Sequence, residues 1–328
     1  MTQTNHEPGD ELRVVLQRHI GATYLGENHD YPALRVVGAG LTGARMVDAL
    51  FRTGVQGDVQ FFRAIWSANG INNPPNPRYA LEAVAAEVFD TADIVIILVE
   101  PCENGALAVV RSIMSMENRP DALVVVLFFA HPTFGPAKML AALPPNAGVT
   151  VIPLPRSNSS ACGSGLDLRI AAIVDGLSEG FNASAPGAAD LRTMLEVFSG
   201  VGKAHIGVGV AQGENRAACA VERAVNQLAI PNSQLAPGIL LLVAGSRELG
   251  ICEISAIVEA VSASFPSFAG CSLGVNYDER MGDLLRVTVI VSEPPPRRLT
   301  VAQLASNSTA ASEGSPNYEA AMTTVIGK

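Results

Sequence analysis

The chain has 328 residues, of which 48% are hydrophobic and 16% charged, so bulk disorder is excluded and the length accommodates two domains. It carries 22 basic and 31 acidic residues, and the net charge of −9 argues against nucleic acid as a partner, because phosphate binding needs a basic surface. The longest uninterrupted apolar run, residues 122–130, is about half of the ~20 residues that a membrane-spanning helix needs, so we predict no membrane span.

Cysteines and histidines are scattered along the chain. The five cysteines form no C-x-x-C pair, and no two of the five histidines have metal-ligand spacing. We therefore predict no metal site and no disulfide framework, with the cysteines serving as small buried hydrophobic residues. The acidic N-terminus has no apolar stretch typical of a secretory leader, which predicts a cytoplasmic protein.

The first 30 residues are predicted to be an N-terminal extension. Several of their side chains have helical spacing: Leu12, Val15, Leu16 and His19 or Ile20. This spacing predicts a peripheral helix or a mobile arm.

A strand, a glycine turn and a helix that ends at Gly54 follow from residue 34. Four more apolar runs lie at residues 59–65, 92–99, 121–130 and 148–154. They are continuously apolar rather than alternating, which is typical of parallel strands covered by helices on both faces. We therefore predict an α/β, Rossmann-type domain with a mostly parallel sheet over residues 31–165.

The second half of the chain has a different pattern. A helix is predicted within residues 166–184, followed by a hinge rich in Pro, Gly and Ala. Two amphipathic helices and three strands then predict a smaller α+β domain over residues 185–293. Residues 294–328 are rich in Ser, Ala and Thr without apolar periodicity, which predicts a flexible tail.

The glycines at positions 38, 40 and 43 fit the pattern G-x-G-x-x-G between a strand and a helix. One interpretation is a phosphate site, in which backbone N–H groups hold a pyrophosphate. The other is a tight turn that needs glycines and binds nothing. Arg63, at the end of the next strand, would suit the 2′-phosphate of NADP, so a Rossmann oxidoreductase stays an alternative, although we find no acid–base pair in the second half for it.

A longer set of motifs lies in the second half. Its members are Gly209-Val210-Ala211, Gly213-Glu214, Arg216-Ala217, the pattern Asp278, Met281, Asp283 with residues 285–289, and the upstream residues 189–194. This order resembles FtsZ, the bacterial tubulin homologue, over most of residues 34–292. The resemblance implies a tubulin/FtsZ-like fold with a GTP-binding N-terminal domain, a central helix and an α+β C-terminal domain. It also implies head-to-tail polymerisation, with hydrolysis completed by acids from the next subunit.

The nucleotide-binding loops depart from the FtsZ pattern. Leu41, Thr42 and Ala44 enter the first glycine loop, and Arg45 replaces its asparagine. Apolar Ile65 and Trp66 with Ser67 replace the Asn-Thr-Asp loop, Pro155-Arg156-Ser157 replaces Pro-Asn-Asp, and Ile173 and Val174 surround the usual guanine-binding position. Side chains such as Trp66 and Leu41 could fill the pocket, and two interpretations stay open for them: loop packing within the monomer and a role in an interface.

The largest departure is in the glycine-rich phosphate turn, which reads Glu100-Pro101-Cys102-Glu103-Asn104-Gly105. Only Gly105 matches the resembled family, a proline removes one N–H donor, and two carboxylates would repel phosphate. We predict a degenerate pocket formed by Gly38, Gly40, Gly43, Arg45, Asn76, Gly105 and Arg156. Losing five polar contacts at about 1.5 kcal/mol each would turn nanomolar binding into binding weaker than about 100 µM.

Catalysis is also predicted to be lost. The Asn-x-Asp-x-x-Asp loop of the family corresponds to residues 185–190, where Asp190 is the one acid that remains. Asp190 is a residual catalytic candidate, and the simpler interpretation is a carboxylate favoured at a helix N-terminus.

The function predicted from these features is that of an FtsZ-like pseudo-GTPase, which assembles into head-to-tail filaments or docks on filaments, including those of a true FtsZ, without a cofactor. Three alternatives stay open. The first is a divergent GTP-hydrolysing FtsZ-family cell-division or cytoskeletal protein with a pocket rebuilt around Arg45 and Arg156. The second is the NADP-dependent oxidoreductase, and the third is a monomeric regulator that caps division filaments.

Overall fold

A computed structural model describes residues 13–19, 32–55, 58–67, 86–115, 122–144, 149–154, 168–179, 202–228, 238–265 and 271–293. The predicted tail lies outside these residues. The elements of the N-terminal half are β1 (Arg13–His19), β2 (Leu34–Ala39), α1 (Gly40–Thr53), β3 (Val59–Ser67), β4 (Ile94–Val99), α2 (Ala106–Met114), β5 (Leu123–Phe129), α3 (Pro136–Ala142) and β6 (Val149–Leu154). Those of the C-terminal half are α4 (Leu168–Glu179), β7 (Lys203–Ala211), α5 (Arg216–Val225), β8 (Gly238–Gly245), α6 (Ile251–Ser264), β9 (Cys271–Tyr277), a 3-10 turn (Glu279–Met281) and β10 (Leu285–Glu293).

The described strands form one mixed sheet in the order β1-β3-β2-β4-β5-β6-β7-β10-β8-β9. Strands β3, β2, β4, β5 and β6 are parallel. In the C-terminal half β10 lies antiparallel between β7 and β8, and β9 is parallel to β8. This arrangement confirms the predicted α/β fold with a mostly parallel N-terminal sheet and a smaller α+β part. The exact domain boundaries stay predictions.

The core follows from the continuous apolar strands of the N-terminal half. Every residue of β2 and β4 is buried. Side chains on one face of the sheet pack against α1 and α4, and those on the other face pack against α2 and Met139 of α3. Burial on both faces explains why these strands show no polar alternation.

Helix α1 ends where the sequence predicts. Gly54 caps it with a φ of 72°, in the left-handed region that favours glycine, and its N–H donates to the Phe51 carbonyl. Because α1 directly follows β2, the glycine turn between them lies at the carboxyl edge of the parallel sheet.

The helical prediction for the N-terminal extension is wrong over residues 13–19. This segment forms the edge strand β1, antiparallel to β3, with Arg13 opposite Ser67 and His19 opposite Phe61. The apolar spacing of a short segment fits a helix or a strand, and here the β-branched Val14 and Val15 favour the strand. Pairing also satisfies backbone groups along the open edge of β3.

Two further predictions concern the surface. In the described ranges no helix is long and apolar enough to cross a membrane. The prediction of buried cysteines is wrong for the four that are described, because Cys102 and Cys252 are exposed and Cys219 and Cys271 are partly exposed. Cys102 lies in a surface turn and Cys252 in the first turn of α6, so neither faces a core.

Candidate functional site

The turn between β2 and α1 is very tight. A Cβ added at Gly38 would lie 2.3 Å from the Gly43 carbonyl oxygen, and one at Gly43 would lie 2.4 Å from that of Leu98. Side chains cannot enter these spaces without backbone movement, so both glycines allow α1 to approach β2 and β4. Packing alone therefore accounts for two of the three motif glycines.

The second turn of the site joins β4 to α2. Because β2 and β4 are adjacent parallel strands, with Ala39 beside Val99, their following turns meet at the same edge of the sheet. Glu100 is buried, and its carboxylate accepts a hydrogen bond from the Cys102 N–H at 3.4 Å. Gly105 precedes α2 with a φ of 79°.

Glu103 connects the two turns. One oxygen of its carboxylate accepts a hydrogen bond from the Thr42 N–H at 2.9 Å, and the other accepts one from the Leu41 N–H. These N–H groups belong to the first turn of α1, which has no acidic residue of its own. The carboxylate thus satisfies two otherwise unpaired helix donors at the positive end of the helix dipole.

Gly40 provides the space for this contact. Its φ is 79°, and a Cβ there would lie 3.0 Å from the Glu103 carboxyl carbon and 3.0 Å from the Ala106 Cβ. The structure therefore brings Gly38, Gly40 and Gly43 together with the segment that starts α2. An internal anion lies where the glycine motif offers its N–H groups.

Other predicted pocket residues are in different situations. Arg45 is exposed on α1. Leu41 is 45% exposed and so does not fill the pocket, and the Glu103 carboxylate lies at that helix end instead. A role for Leu41 in an interface stays a prediction. Asn76, Arg156, Asp190 and the side chain of Trp66 lie outside the described residues.

Three further residues from the sequence predictions, Ile173, Val174 and Arg63, lie in described parts of the chain. Ile173 and Val174 of α4 are fully buried in the apolar core. Arg63 of β3 lies opposite Gly38 in the sheet, and its Nε is 3.4 Å from a carboxylate oxygen of Asp48. Arg63 is thus paired with an acidic residue of α1.

The motif residues of the C-terminal half meet in a charged cluster. Arg216 donates to both oxygens of Glu253, at 2.8 Å and 2.9 Å, and to the Asp283 carbonyl at 3.0 Å. The Asp283 carboxylate in turn accepts a hydrogen bond from the Gly213 N–H at 3.3 Å. Hydrogen bonding to Arg216 lowers the pKa of Glu253, so that carboxylate is charged at neutral pH.

Sequence reasoning missed two contributors, Glu253 and the bonding role of Glu103. Glu253 lies 37 residues from Arg216, and its position in the first turn of a predicted helix was the available signal. Glu103 was predicted only to repel phosphate. Its place after a strand parallel to β2 was the signal that it could reach α1.

Comparisons with known proteins agree with this fold. Residues 202–293 match the model of the C-terminal domain of the FtsZ family. Among solved structures, a mutant FtsZ of M. jannaschii is 21% identical with a TM-score of 0.63, over 80% of this chain and 91% of that one. The GTPγS-bound CetZ2 protofilament of Haloferax volcanii is 13% identical with a TM-score of 0.57, over 85% and 99%. The GDP-form TubZ protofilaments of Bacillus thuringiensis serovar israelensis give 12% and 0.53, over 87% and 93%.

The chain therefore has the fold of the solved FtsZ, CetZ2 and TubZ structures, and the resemblance drawn from the sequence is confirmed at the level of this fold. More narrowly, the segment from Gly202 to Glu293, which holds the Arg216 cluster, is similar to the C-terminal domain of FtsZ itself.

Proposed function

We propose that this chain is a cytoplasmic, FtsZ-like pseudo-GTPase that assembles head to tail into filaments, or docks on filaments of a true FtsZ, without binding or hydrolysing GTP. The filament part rests on the fold, since two of the similar structures are protofilaments. The part without nucleotide rests on one observation, the Glu103 carboxylate bound to the N–H groups of Leu41 and Thr42.

A triphosphate at this end of α1 would have to displace the Glu103 carboxylate. Hydrogen bonds to charged groups contribute about 1.5–3 kcal/mol each. A phosphate that took over the two N–H groups would gain only the hydrogen-bond energy that the displaced carboxylate loses. Like charges about 4 Å apart cost about 1–4 kcal/mol at partly exposed sites, so Glu103 and the nearby Glu100 oppose binding. Weak or absent GTP binding is the expected consequence.

Assembly does not need the nucleotide. A subunit whose head surface complements its tail surface forms an open polymer by repeated heterologous contacts. Loss of the phosphate contacts therefore removes control of turnover by hydrolysis, while the capacity to polymerise depends on the surfaces alone.

The divergent-GTPase alternative is favoured by one observation, the exposed guanidinium of Arg45 in the second turn of α1. A cation at this position could bind a phosphate from outside the Glu103 contact. We do not propose the NADP-dependent oxidoreductase, because Arg63, on which it depended, is paired with Asp48.

Electron microscopy and sedimentation of the purified chain, each with and without GTP, test the proposal. We expect filaments or pelleted protein in both conditions, and no guanine nucleotide released on denaturation. Stoichiometric bound guanine nucleotide would support the divergent GTPase instead. A monomer at all concentrations would reject self-assembly, and added FtsZ would then distinguish a docking subunit, which co-sediments, from a capping regulator, which shortens the filaments.

A further inference from the structure

The sheet ends at strand β9, and one side of β9 has no partner strand among the described residues. β9 pairs in parallel with β8, from Cys271 beside Ile239 to Tyr277 beside Gly245. The backbone N–H and C=O groups on the other side of an edge strand are open to pairing with another chain. We propose that β9 pairs antiparallel with β9 of a second copy of this chain and so forms a two-fold symmetric dimer.

The sequence of β9 lacks the features that usually protect an edge strand. Its seven residues read Cys-Ser-Leu-Gly-Val-Asn-Tyr, with no charged residue and no proline. Its pairing with β8 runs without interruption, so no β-bulge twists this edge away. The strand at the opposite end of the sheet, β1, contains two arginines. Charged residues discourage pairing between edges, so β9 is the edge that suits a second chain.

The second copy is chosen as the partner because β9 complements itself. When Gly274 lies opposite Gly274 of the second copy, all seven residues are paired. The pairs are Cys271 with Tyr277, Ser272 with Asn276, and Leu273 with Val275. Residues that lie opposite each other in an antiparallel pair share a face of the sheet, so the apolar pairs lie on one face and the polar pair on the other. No like charges face each other in this register.

Apolar side chains of β9 still have surface for such a contact to cover. Cys271 and Leu273 lie on the face that packs against the C-terminal apolar core, but both are only partly buried. Tyr277, on the same face, is 39% exposed. Pairing would bring Leu273 of each copy beside Val275 of the other and extend this apolar face across the two-fold axis. A seven-residue strand pair is at the small end of protein interfaces, so we expect a weak, reversible dimer.

This dimer goes beyond the proposed function because it is a different kind of contact. A two-fold contact uses the same surface on both copies and closes after two of them. Filament growth needs two different surfaces, a head and a tail. Pairing of β9 therefore does not produce a filament by itself, and the two proposals can fail separately.

Cross-linking of the full chain tests the proposed register. Tyr277→Cys places a thiol opposite Cys271 of the second copy, and opposite Cβ atoms in an antiparallel pair are about 4.5–5.5 Å apart. We expect a short bifunctional thiol reagent to give a covalent dimer, seen by denaturing gel electrophoresis, in which mass spectrometry finds the introduced cysteine linked to Cys271. Because burial raises the pKa of the Cys271 thiol, the reaction is run at mildly alkaline pH.

Two proteins control for thiols elsewhere. The wild type carries the exposed Cys102 and Cys252, and Glu259→Cys adds a thiol at an exposed position of α6. We expect neither to form a dimer linked through Cys271. If the dimer of Tyr277→Cys is linked only through Cys102 or Cys252, or if no dimer forms, the inference is wrong, whether β9 faces solvent or is covered by another segment of the chain.

A charge placed on β9 gives the converse test. Leu273→Lys, added to Tyr277→Cys, puts two lysines close to the two-fold axis, and we expect the cross-linked dimer to be lost. Leu284→Lys, added to the same background, is the matched control, because Leu284 is 38% exposed and lies outside β9. Equal cross-linking in these two double variants would overturn the inference. If Leu273→Lys does not fold, as judged by thermal unfolding, the Tyr277→Cys result decides alone.

Sedimentation separates this inference from the proposed function. A wild type that never pellets, together with the Cys271 link in Tyr277→Cys, would reject the filament proposal and support pairing of β9. Pelleting of the wild type without that link would support filaments and reject the dimer.

Discussion

The turns at the carboxyl edge of the N-terminal sheet and the charged cluster of the C-terminal part differ in the interactions that require their motif residues. At the N-terminal turns, Gly38 and Gly43 are required by backbone packing, and Glu103 of the chain itself bonds the helix donors. In the C-terminal cluster, the motif residues Arg216 and Asp283 bond each other. Backbone packing alone can thus require the glycines of a motif, whereas a charged motif indicates a contact.

Replacing Arg216 by alanine is expected to produce the largest effect. Its guanidinium side chain is 7% exposed and bidentate with Glu253, so its removal leaves a carboxylate that has lost its partner in partly buried surroundings. We expect a loss of about 3 kcal/mol in the free energy of unfolding, measured by urea denaturation. Arg247→Ala is the control, since Arg247 is 85% exposed and its ion pair is worth less than about 1 kcal/mol. Equal losses in the two variants would show that the cluster is not a buried network.

Gly43→Ala tests the steric explanation of the glycine motif. The new Cβ would meet the Leu98 carbonyl oxygen, so we expect a loss of about 2 kcal/mol in the free energy of unfolding from overpacking. Gly54→Ala adds a Cβ in open space and should cost only the conformational strain of a positive φ, about 1 kcal/mol. A Gly43→Ala variant as stable as the wild type would mean that packing does not explain the motif.

Much of this fold follows from local sequence properties. Continuous apolar runs predict the buried strands β2 and β4, and Gly54 predicts the end of α1, because these signals depend on burial and φ at nearby positions. The conformation of residues 13–19 depends on a partner strand more than 40 residues away, so helical spacing gave a wrong prediction.

The site was less predictable for a related reason. Composition identified the turn of residues 100–105 as acidic and short of glycine, which is correct. The hydrogen bond of Glu103 to the Thr42 N–H depends on a distance of 2.9 Å between the two turns, which no spacing in the sequence specifies. Long-range hydrogen bonds of this kind need the sheet topology first, and then the side-chain geometry.

A third group of charged side chains, in the C-terminal sheet, should affect the stability of the protein at acid pH. Glu293 accepts hydrogen bonds at 2.6 Å from Lys203 and from His205. Burial alone would raise the pKa of Glu293, but these two partners lower it below its ordinary value of 4.5. The stabilisation is therefore complete above about pH 4.5 and is lost as the pH falls through the folded-state pKa.

We expect Glu293→Gln to lose about 1 kcal/mol at pH 7 and to show a shallower loss of stability below pH 4.5, followed by urea denaturation across the pH range. Glu87→Gln serves as the control for removal of one exposed carboxylate. Asp175 has the opposite effect on the pH dependence of stability, because burial raises its pKa although Arg286 lies 3.2 Å away. If the free energy of unfolding of Glu293→Gln falls with pH as it does in the wild type, other carboxylates cause the acid sensitivity.

The smallest effect is expected at the ion pair between Asp48 and Arg63, beside the glycine turn. Both side chains are about a quarter exposed, so solvent screening limits their coupling energy to less than about 1 kcal/mol. A double-mutant cycle with Asp48→Ala and Arg63→Ala isolates this coupling, since each residue also makes other contacts. The coupling should nearly vanish in about 1 M salt. A larger coupling energy that resists salt would indicate that the turn is more enclosed than the exposures suggest. If the chain binds NADPH and Arg63→Ala abolishes that binding, the oxidoreductase interpretation would be restored for this edge of the sheet.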